Sequence, residues 1–282
     1  MTTIWTSIKN KAQKTKTKTN IKRTKQTKFF VRNKILVSYI MNINVFLLCF
    51  NESVLLPHTI KHYKKYLPSC KITIYDNEST DNSVNIAKEL GCSVVSWSSN
   101  NCIDDFKYRE IKNNCWKSVE RGWIIMADMD EFLCVTEDEL MKEKNLGTSI
   151  LNIVGYDMLG ESESSDLSDI DLQKIQKYVD NHYESKNLCF LREKTKEMNY
   201  DIGAHNSKPE GDIKYSSKNY INKHMSSLGL KFLINKTTER YKRSANMRKH
   251  GIARHYTTDV SKIEATYRTS INKCKVLENL NY

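Results

Sequence analysis

The stretch at residues 122–133 constrains the fold of this chain more than any other. It begins with an apolar run, Trp123 to Ala127, and continues directly into the carboxylates Asp128, Asp130 and Glu131. A short apolar run of this kind is typical of a strand buried on both faces of a parallel sheet. Charges at its end would lie at the carboxyl edge of the sheet, where open α/β sheets bind their ligands.

Asp128 and Asp130 form an Asp-x-Asp pair. In extended backbone their side chains point the same way, because side chains alternate along a strand. Two carboxylates this close repel each other and favour a cation between them. Mg²⁺ and Mn²⁺ prefer oxygen ligands and often share them with a substrate diphosphate. The alternative is a solvated acidic turn, in which Glu131 is a surface charge and not a support for the metal ligands.

The basic charge of the chain is concentrated before residue 41. The 282 residues carry a formal net charge of +12, and eleven Lys and Arg residues but no acid precede residue 41, which leaves +1 for the rest. A segment that alternates Lys and Thr cannot bury apolar surface, so we expect a disordered tail at residues 1–40. We interpret it as an electrostatic arm, as a targeting peptide, or as sequence upstream of a start at Met41. The nearly neutral remainder predicts no nucleic-acid partner and leaves peripheral membrane contact to the tail.

One apolar run, at residues 35–50, approaches the length of a membrane span. A bilayer helix needs about 20 mostly apolar residues, and this run is shorter and contains Ser38, Asn42 and Asn44. The pattern disfavours a membrane anchor, although a signal-anchor stays open. Eight cysteines are scattered without a CxxC pair. They indicate free thiols in a reducing compartment, and therefore a cytoplasmic protein.

Strand and helix signals alternate along the first half of the chain. We predict strands over 44–50, 71–75 and 92–96, followed by the acidic strand. Between them we predict a helix capped by Ser53 and ending near Tyr66, a helix capped by Thr80 or Asp81, and a helix from Asp104 or Asp105 to about Glu120. The inward residues of the third helix are expected to be Phe106, Ile111, Cys115 and Val119. Short connections between alternating strands and helices imply an α/β fold with a doubly wound, mostly parallel sheet.

The pattern changes after Gly147. We predict a strand over 149–155, a flexible loop over 161–171, a short strand over 186–191, a loop over 201–211, a basic helix over 228–249 and a helix from Val260 to Leu280. The sequence thus indicates a tail at 1–40, a catalytic domain at 41–257 with a mixed C-terminal half, and a helical extension at 258–282.

Three motifs in this order resemble those of family 2-like glycosyltransferases of the GT-A fold. They are Leu48-Cys-Phe-Asn-Glu-Ser53, Asp76-Asn-Glu-Ser-Thr-Asp81 and Asp128-Met-Asp-Glu-Phe132, each at the end of a predicted strand. The resemblance covers residues 43–160 and continues more weakly to His224. It departs from the family at Asn77-Glu78, where many members carry Asp-Gly.

The resemblance implies a metal-dependent enzyme that moves a sugar from a nucleotide-diphosphate donor to a hydroxyl acceptor on a glycan, protein or lipid. It implies a UDP-sugar as donor and Mn²⁺ or Mg²⁺ as cofactor. The donor would lie across the strand ends, against a set of residues that we expect to comprise Asn51, Glu52, Asp76, Asp128 and Arg109. Asp76 has a simpler alternative role as a cap of the following helix.

Asp128 and Asp130 are the expected metal ligands, and the family commonly adds a His or Asp from the C-terminal half. His224, at a predicted helix start, is the favoured third ligand. His205 lies in a loop better suited to an acceptor contact.

Two groups of side chains are left with open roles. Arg109 and Lys112 would either meet diphosphate charge or, as we favour, lie on the outer face of an amphipathic helix. No catalytic base is assigned, and Asp157, Glu161 and Glu197 are candidates of equal weight.

Two other classes of protein compete with this interpretation. A nucleotidyltransferase would use the same Asp-x-Asp pair with two metals. It would also need a glycine-rich phosphate loop after the first strand, where the chain has Asn51-Glu52-Ser53 instead. A non-catalytic carbohydrate- or nucleic-acid-binding relative would have no need of the intact Asp128 and Asp130.

Overall fold

The computed structural model describes residues 41–278, so the predicted basic tail lies outside the described residues. The strands are β1 (Ile43–Cys49), β2 (Lys71–Asp76), β3 (Ser93–Ser96), β4 (Trp123–Asp128), β5 (Glu131–Cys134), β6 (Ile150–Leu159), β7 (Lys177–Asp180), β8 (Cys189–Leu191), β9 (Thr195–Glu197), β10 (Glu210–Gly211), β11 (Tyr215–Ser227) and β12 (Lys275–Val276). The helices are α1 (Leu56–Tyr66), α2 (Ser83–Glu89), α3 (Asp105–Asn114), α4 (Glu137–Asn145), α5 (Leu230–Arg243), α6 (Ala245–Lys249) and α7 (Val260–Lys273).

Four strands form the parallel half of a ten-stranded sheet, in the order β3, β2, β1, β4. β1 pairs in parallel with β2 on one side and with β4 on the other, and β3 pairs in parallel with β2. β1 and β4 are almost wholly buried, as expected for apolar strands with neighbours on both sides. The predicted doubly wound arrangement is confirmed.

The second half of the sheet is mixed, as predicted. β8 runs antiparallel to β4, and β6, β7 and β12 extend the sheet beyond it. β11 pairs in parallel with β6 and antiparallel with β5. The predicted C-terminal helix is present as α7, and the residues after it form β12, which pairs with β7.

β11 is the longest strand that the sequence did not predict. The predicted basic helix over 228–249 is present as α5 and α6, but the placement of His224 at a helix start is wrong, because residues 215–227 form one long strand. The strand has few apolar side chains, and its buried positions include the polar Ser216 and Asn222. Its backbone hydrogen bonds to two neighbouring strands decide its conformation.

Two predicted helix caps are also wrong. Ser53 does not cap α1, because its backbone N–H donates to Asp81 Oδ2 at 3.0 Å and the helix begins at Leu56. Asp81 also accepts a bond from the N–H of Ser83, the first residue of α2, whose N-cap is Asn82. Asp81 therefore ties together the loops that follow β1 and β2.

α3 begins as predicted, with the Asp104 side chain accepting a bond from the N–H of Lys107 at 3.0 Å. Its buried face differs from the prediction. Phe106, expected inward, is 40% exposed, whereas Lys112 is only 5% exposed. A buried lysine needs an anionic partner, and the strand ends beside α3 supply one.

The first part of the apolar run at residues 35–50 lies outside the described residues. The second half of the run is β1, in the middle of the parallel sheet. Of the helices found between residues 41 and 278, none combines the length and the apolar character that crossing a bilayer requires.

Candidate functional site

A cavity of about 560 Å³ opens at the carboxyl ends of β1 and β4. The register places Leu48 of β1 beside Asp128 of β4, so the residues after both strands reach the same space. Asn51 and Glu52 line the cavity from the first strand, and Asp128 and Asp130 line it from the other. The volume is in the range of about 300–1,000 Å³ that is common for small-molecule sites. The cavity thus lies where the strand ends predict a ligand.

Asp128, the last residue of β4, is held by two lysines. Lys112 Nζ lies 2.8 Å from Oδ1 and 2.9 Å from Oδ2, and Lys186 Nζ lies 3.7 Å from Oδ2. Burial opposes ionisation of the carboxyl, but Lys112 and Lys186 outweigh it and lower the pKa of Asp128. The favoured placement of Lys112 on the outer face of α3 is therefore wrong, because its ammonium faces the cavity.

Asp130 lies in the tight turn between β4 and β5 and is almost fully buried. Its Oδ2 lies 2.7 Å from Lys236 Nζ, 3.4 Å from Arg240 Nη2 and 3.4 Å from His224 Nε2. Burial opposes its ionisation, yet Lys236 and His224 hold the pKa of Asp130 well below the usual value. Because β4 ends at Asp128, the alternation of a strand does not extend to Asp130, and the two carboxylates contact different cations.

His224 reaches Asp130 from β11. Its Nδ1 lies 2.5 Å from Asp157 Oδ1 and 3.8 Å from Glu184 Oε1. Burial alone would lower the pKa of His224, but Asp130 and Asp157 raise it well above the ordinary value. The N–H of Met225 donates to the carbonyl oxygen of Asp130 at 2.6 Å, which fixes this strand against the turn.

Glu131 is fully buried beneath the cavity. Its Oε2 accepts the N–H of Asp128 at 2.7 Å, and its Oε1 lies 2.7 Å from Lys186 Nζ. Burial raises the pKa of Glu131 to about 7, although Lys186 acts in the opposite direction. The reading of Glu131 as a surface charge is wrong, since its carboxylate holds the backbone of Asp128 and the ammonium of Lys186 in place.

Asp130 and His224 fit a divalent cation. Asp157 takes the Nδ1 side of His224, so that Nε2 faces Asp130, and a carboxylate behind a metal-binding imidazole is a common support. In this structure each of the two aspartates forms an ion pair with a lysine. Among residues 41–278, no group of three or more His, Cys, Asp or Glu side chains is arranged around a metal position. A cation at Asp130 would therefore have to displace Lys236.

The other residues expected at the donor do not all line the cavity. Asn51 and Glu52 line the cavity, and Asn51 Oδ1 accepts the N–H of Thr80 at 2.7 Å. Asp76 does not line it: Oδ2 accepts the N–H of Ser79 at 3.0 Å, and the buried Oδ1 has no hydrogen-bond partner among the described residues. The alternative role of Asp76 as a cap of the following helix is wrong, because α2 begins at Ser83 with Asn82 as its N-cap, and Asp76 instead holds its own loop.

Arg109 and His205 both line the cavity. The guanidinium of Arg109 lies 5.8 Å from the ring centre of Phe106, on the same helix. His205 Nδ1 lies 2.8 Å from the carbonyl oxygen of Tyr183, so the main chain of another segment orients its ring. His205 and His224 are thus in one cavity, but only His224 contacts Asp130.

The three candidate bases lie in different places. Asp157 is occupied by His224 on one oxygen and by Asn181 Nδ2, at 2.9 Å, on the other. Glu161 forms an exposed ion pair with Lys177, and Glu197 forms one with Lys117. None of the three candidates lines the cavity.

Among the cavity residues that the sequence analysis did not single out, four contact Asp128, Asp130 or His224: Glu184, Lys186, Lys236 and Arg240. Lys236 and Arg240 are four residues apart on one face of α5, a spacing that could have suggested a shared anionic partner. Glu184 and Lys186 lie in an irregular segment between β7 and β8 and carry no comparable pattern.

No family profile matches the sequence. A stretch of 55 residues is 34% identical to Protein RfbJ of Shigella flexneri and covers 20% of this chain and 43% of that relative. The match therefore spans less than half the length of the relative.

Among solved structures, S. aureus TarS 1–349 is similar with 12% identity over 86% of this chain and 98% of that chain, at a TM-score of 0.41. The complex of TarS 1–349 with UDP-GlcNAc is similar with 13% identity over 82% and 72%, at a TM-score of 0.39. Glucosyl-3-phosphoglycerate synthase from Mycobacterium tuberculosis, in complex with Mn²⁺, UDP and glucosyl-3-phosphoglycerate, is similar with 16% identity over 41% and 44%, at a TM-score of 0.29.

Proposed function

We propose that this protein is a metal-dependent glycosyltransferase that moves a sugar from a nucleotide-diphosphate donor, a UDP-sugar, to a hydroxyl acceptor. The observation that carries the proposal is the meeting of Asp128, Asp130 and His224 with lysine and arginine side chains around the cavity. The carboxylates suit Mn²⁺ or Mg²⁺, and the basic side chains suit diphosphate oxygens. Two of the three motifs that resemble family 2-like glycosyltransferases, at 48–53 and 128–132, contribute residues to the lining of this cavity.

The two ends of the donor would meet different surroundings. Ile103, Tyr108 and Ile252 give the cavity an apolar end, where they pack against Met247 and Ala253. A flat, weakly polar nucleobase suits this end. The diphosphate would lie toward the basic side chains beside the aspartates, where its negative charge is balanced.

Asp128, Asp130 and His224 would hold the divalent cation. When bound, such a cation neutralises charge on the leaving diphosphate, which is a Lewis-acid role. His224 must give up its Nε2 proton first, because only the neutral imidazole donates to a metal. Asp157 would keep the ring oriented throughout, since it contacts the opposite nitrogen.

Glu184 is the carboxylate that we assign to the acceptor side. Transfer forms a bond between the anomeric carbon and the acceptor oxygen while the bond to the diphosphate breaks, and the acceptor proton passes to a base. Burial opposes ionisation of Glu184, but His224 and Lys186 lower its pKa, so it is ionised and able to take a proton. Glu184 lines the cavity, whereas Asp157 does not.

Calorimetry of UDP, with and without Mn²⁺, tests the proposal in the Asp128→Asn and Asp130→Asn variants. We expect the native chain to bind UDP much more tightly with Mn²⁺, and both variants to lose that gain, because each removes an anionic ligand without changing side-chain shape. Asp138→Asn is the control, since Asp138 is exposed on the first turn of α4 and does not line the cavity. Mn²⁺-dependent affinity that survives in both cavity variants would refute the assignment.

A further inference from the structure

Two basic residues of α5 pair with a carboxylate that the proposed metal requires. Lys236 Nζ lies 2.7 Å from Asp130 Oδ2, and Arg240 Nη2 lies 3.4 Å from the same oxygen. The Asp130 side chain is 3% exposed and that of Lys236 is 11% exposed. Both basic residues also line the cavity, so they can reach a ligand placed there.

Of the two lysines beside Asp128, Lys112 resembles Lys236, because its ion pair is with Asp128 at 2.8 Å, whereas Lys186 is held differently. Lys186 lies 2.7 Å from Glu131 and 2.8 Å from Glu184, in addition to its 3.7 Å approach to Asp128. Two closer carboxylates would still compensate its charge if Asp128 took a metal. Within residues 41–278, the carboxylate bound by Lys236 is that of Asp130, so Lys236 would lose its close anionic contact.

We infer that Lys236 and Arg240 change partners when the donor binds, from the carboxylate of Asp130 to the diphosphate of the nucleotide. The inference rests on the proposed function. It assigns the two residues as ligands of the diphosphate. It also predicts that the metal and the nucleotide each bind more tightly when the other is present.

The physical reason for the coupling is the cost of leaving a buried charge without a partner. A divalent cation that enters alone must displace Lys236, whose almost buried ammonium then keeps only the weaker influence of Glu52, a carboxyl whose pKa burial raises. A nucleoside diphosphate that enters alone draws Lys236 away and leaves Asp130 without its closest cation. When both bind, the metal compensates Asp130 and the diphosphate compensates Lys236, so every charge has a partner.

The Lys236→Met variant tests this coupling, because methionine keeps most of the side-chain length and removes the charge. Calorimetry gives the affinity of Mn²⁺ alone, of UDP alone and of each in the presence of the other. In the native chain we expect each ligand to tighten the other about 5- to 150-fold, the usual range of linkage between sites. In Lys236→Met we expect Mn²⁺ alone to bind about tenfold more tightly, since its competitor is gone, and UDP alone to bind more weakly.

Lys231→Met is the matched control, because Lys231 is exposed on the first turn of α5 and does not line the cavity. Its affinities should equal those of the native chain. Arg240→Met should shift Mn²⁺ binding in the same direction as Lys236→Met but less, since Arg240 is farther from Asp130. It also serves as the second variant if Lys236→Met fails to fold by circular dichroism.

Two outcomes separate the inference from the proposed function. In the first outcome, Mn²⁺ and UDP tighten each other's binding to the native chain, but Lys236→Met and Arg240→Met bind Mn²⁺ alone no more tightly than the native chain does. The proposed change of partners is then refuted, and the donor site stands. If the native chain shows no joint binding of Mn²⁺ and UDP, the proposed function fails and the exchange fails with it.

Discussion

Asp128 and Asp130 are two residues apart in the sequence, yet their carboxylates contact different basic side chains. Asp128 meets Lys112 from α3, while Asp130 meets Lys236 from α5 and His224 from β11. A change at Asp128 therefore affects the α3 side of the cavity, and a change at Asp130 affects the α5 and β11 side. Equal loss of metal binding in the two variants would thus have two different local causes.

His224→Ala should weaken Mn²⁺-supported binding of UDP. The change removes the imidazole next to Asp130 and leaves Asp157 without its partner. Loss of a group that supports a metal typically costs about 10- to 100-fold in metal affinity, so a ligand should cost at least that. Titration of Mn²⁺ at fixed UDP concentration measures the effect.

His205→Ala is the comparison for His224, because both histidines line the cavity and only His224 contacts Asp130. We expect His205→Ala to leave Mn²⁺-supported UDP binding unchanged and to raise the KM for the acceptor. A metal defect in His205→Ala, together with a normal His224→Ala, would reverse the two assignments.

His62 gives the fold a pH dependence that is separate from the cavity. Its Nε2 lies 2.9 Å from the carbonyl oxygen of Leu133, its ring stacks on Phe132, and burial lowers its pKa to about 4. In the unfolded chain the imidazole takes up a proton near pH 6.5, whereas in the folded chain it stays neutral down to about pH 4. The stability that the neutral ring contributes is therefore complete above pH 6.5 and is lost as the pH falls toward 4. The loss approaches about 3 kcal/mol.

Melting temperatures of the native chain and of His62→Gln, measured from pH 7 to pH 4.5, test this expectation. Glutamine keeps a polar group in the same place but does not titrate. The native chain should lose stability with falling pH more steeply than the variant. Parallel pH profiles would show that His62 does not contribute in this range.

The residues of the site were predictable only where local sequence marks them. Asp128, Asp130 and Asn51 stand at the ends of apolar strands, so strand recognition alone places them at one edge of the sheet. Lys236 reaches Asp130 across 106 residues, and no local pattern encodes that meeting. The pairing depends on where α5 packs, which follows from the complete fold.

At the scale of elements, β11 brings His224, from the C-terminal half of the chain, to the cavity. It carries His224 into register with both Glu131 of β5 and Asp157 of β6. Recognition from sequence failed here because alternation of apolar and polar residues is the main strand signal, and two of the four buried positions of this strand, Ser216 and Asn222, are polar. The apolar strands β1, β2 and β4 were recognised for the opposite reason.

Gly155 of β6 lies against the short helical turn that carries Glu184. An added Cβ would lie 2.2 Å from the Glu184 carbonyl carbon and 2.3 Å from its oxygen. Gly155→Ala should therefore displace this turn, lower the free energy of unfolding by about 2 to 3 kcal/mol and reduce acceptor turnover. Chemical denaturation and activity assays measure the two effects.

Gly147→Ala is the control for Gly155→Ala. Gly147 has φ near +79°, and an added Cβ would meet only the Lys214 ammonium at 3.9 Å. The strain of a left-handed alanine should cost about 1 kcal/mol and leave turnover unchanged. A smaller loss of stability in Gly155→Ala than in Gly147→Ala would contradict the close approach that we describe.

At the scale of the whole molecule, the basic charge and the candidate site belong to different parts of the chain. We predict that a variant starting at Met41 keeps the melting temperature and the Mn²⁺-supported UDP affinity of the full chain. The reason is that all strands that position Asp128, Asp130 and His224 lie within residues 41–278. Differential scanning fluorimetry and calorimetry on both proteins provide the measurements.

The same pair of proteins tests the membrane arm. Cosedimentation with vesicles of anionic lipid should retain the full chain at low salt and release the shortened one, because eleven basic residues precede residue 41. A marked fall in melting temperature of the shortened chain would instead show that the first forty residues contribute to the fold.

The α/β class and the parallel half of the sheet were predictable because alternation of strands and helices with short connections admits few topologies. In the mixed half, the strands predicted over 149–155 and 186–191 are present as β6 and β8. β7 and β12 were not predicted, and they are four and two residues long. Segments of that length carry too few side chains to show a period.

The position of β11 late in the chain has a consequence for how the protein is made. β5 and β6 leave the ribosome first, and about 55 residues must follow before β11 begins, which takes several seconds at usual rates of synthesis. During that interval both strands present an unpaired edge, which is a hazard for aggregation. A nascent chain arrested before Tyr215 would therefore be a natural client for chaperones, and it would still lack His224, on which we propose the metal depends.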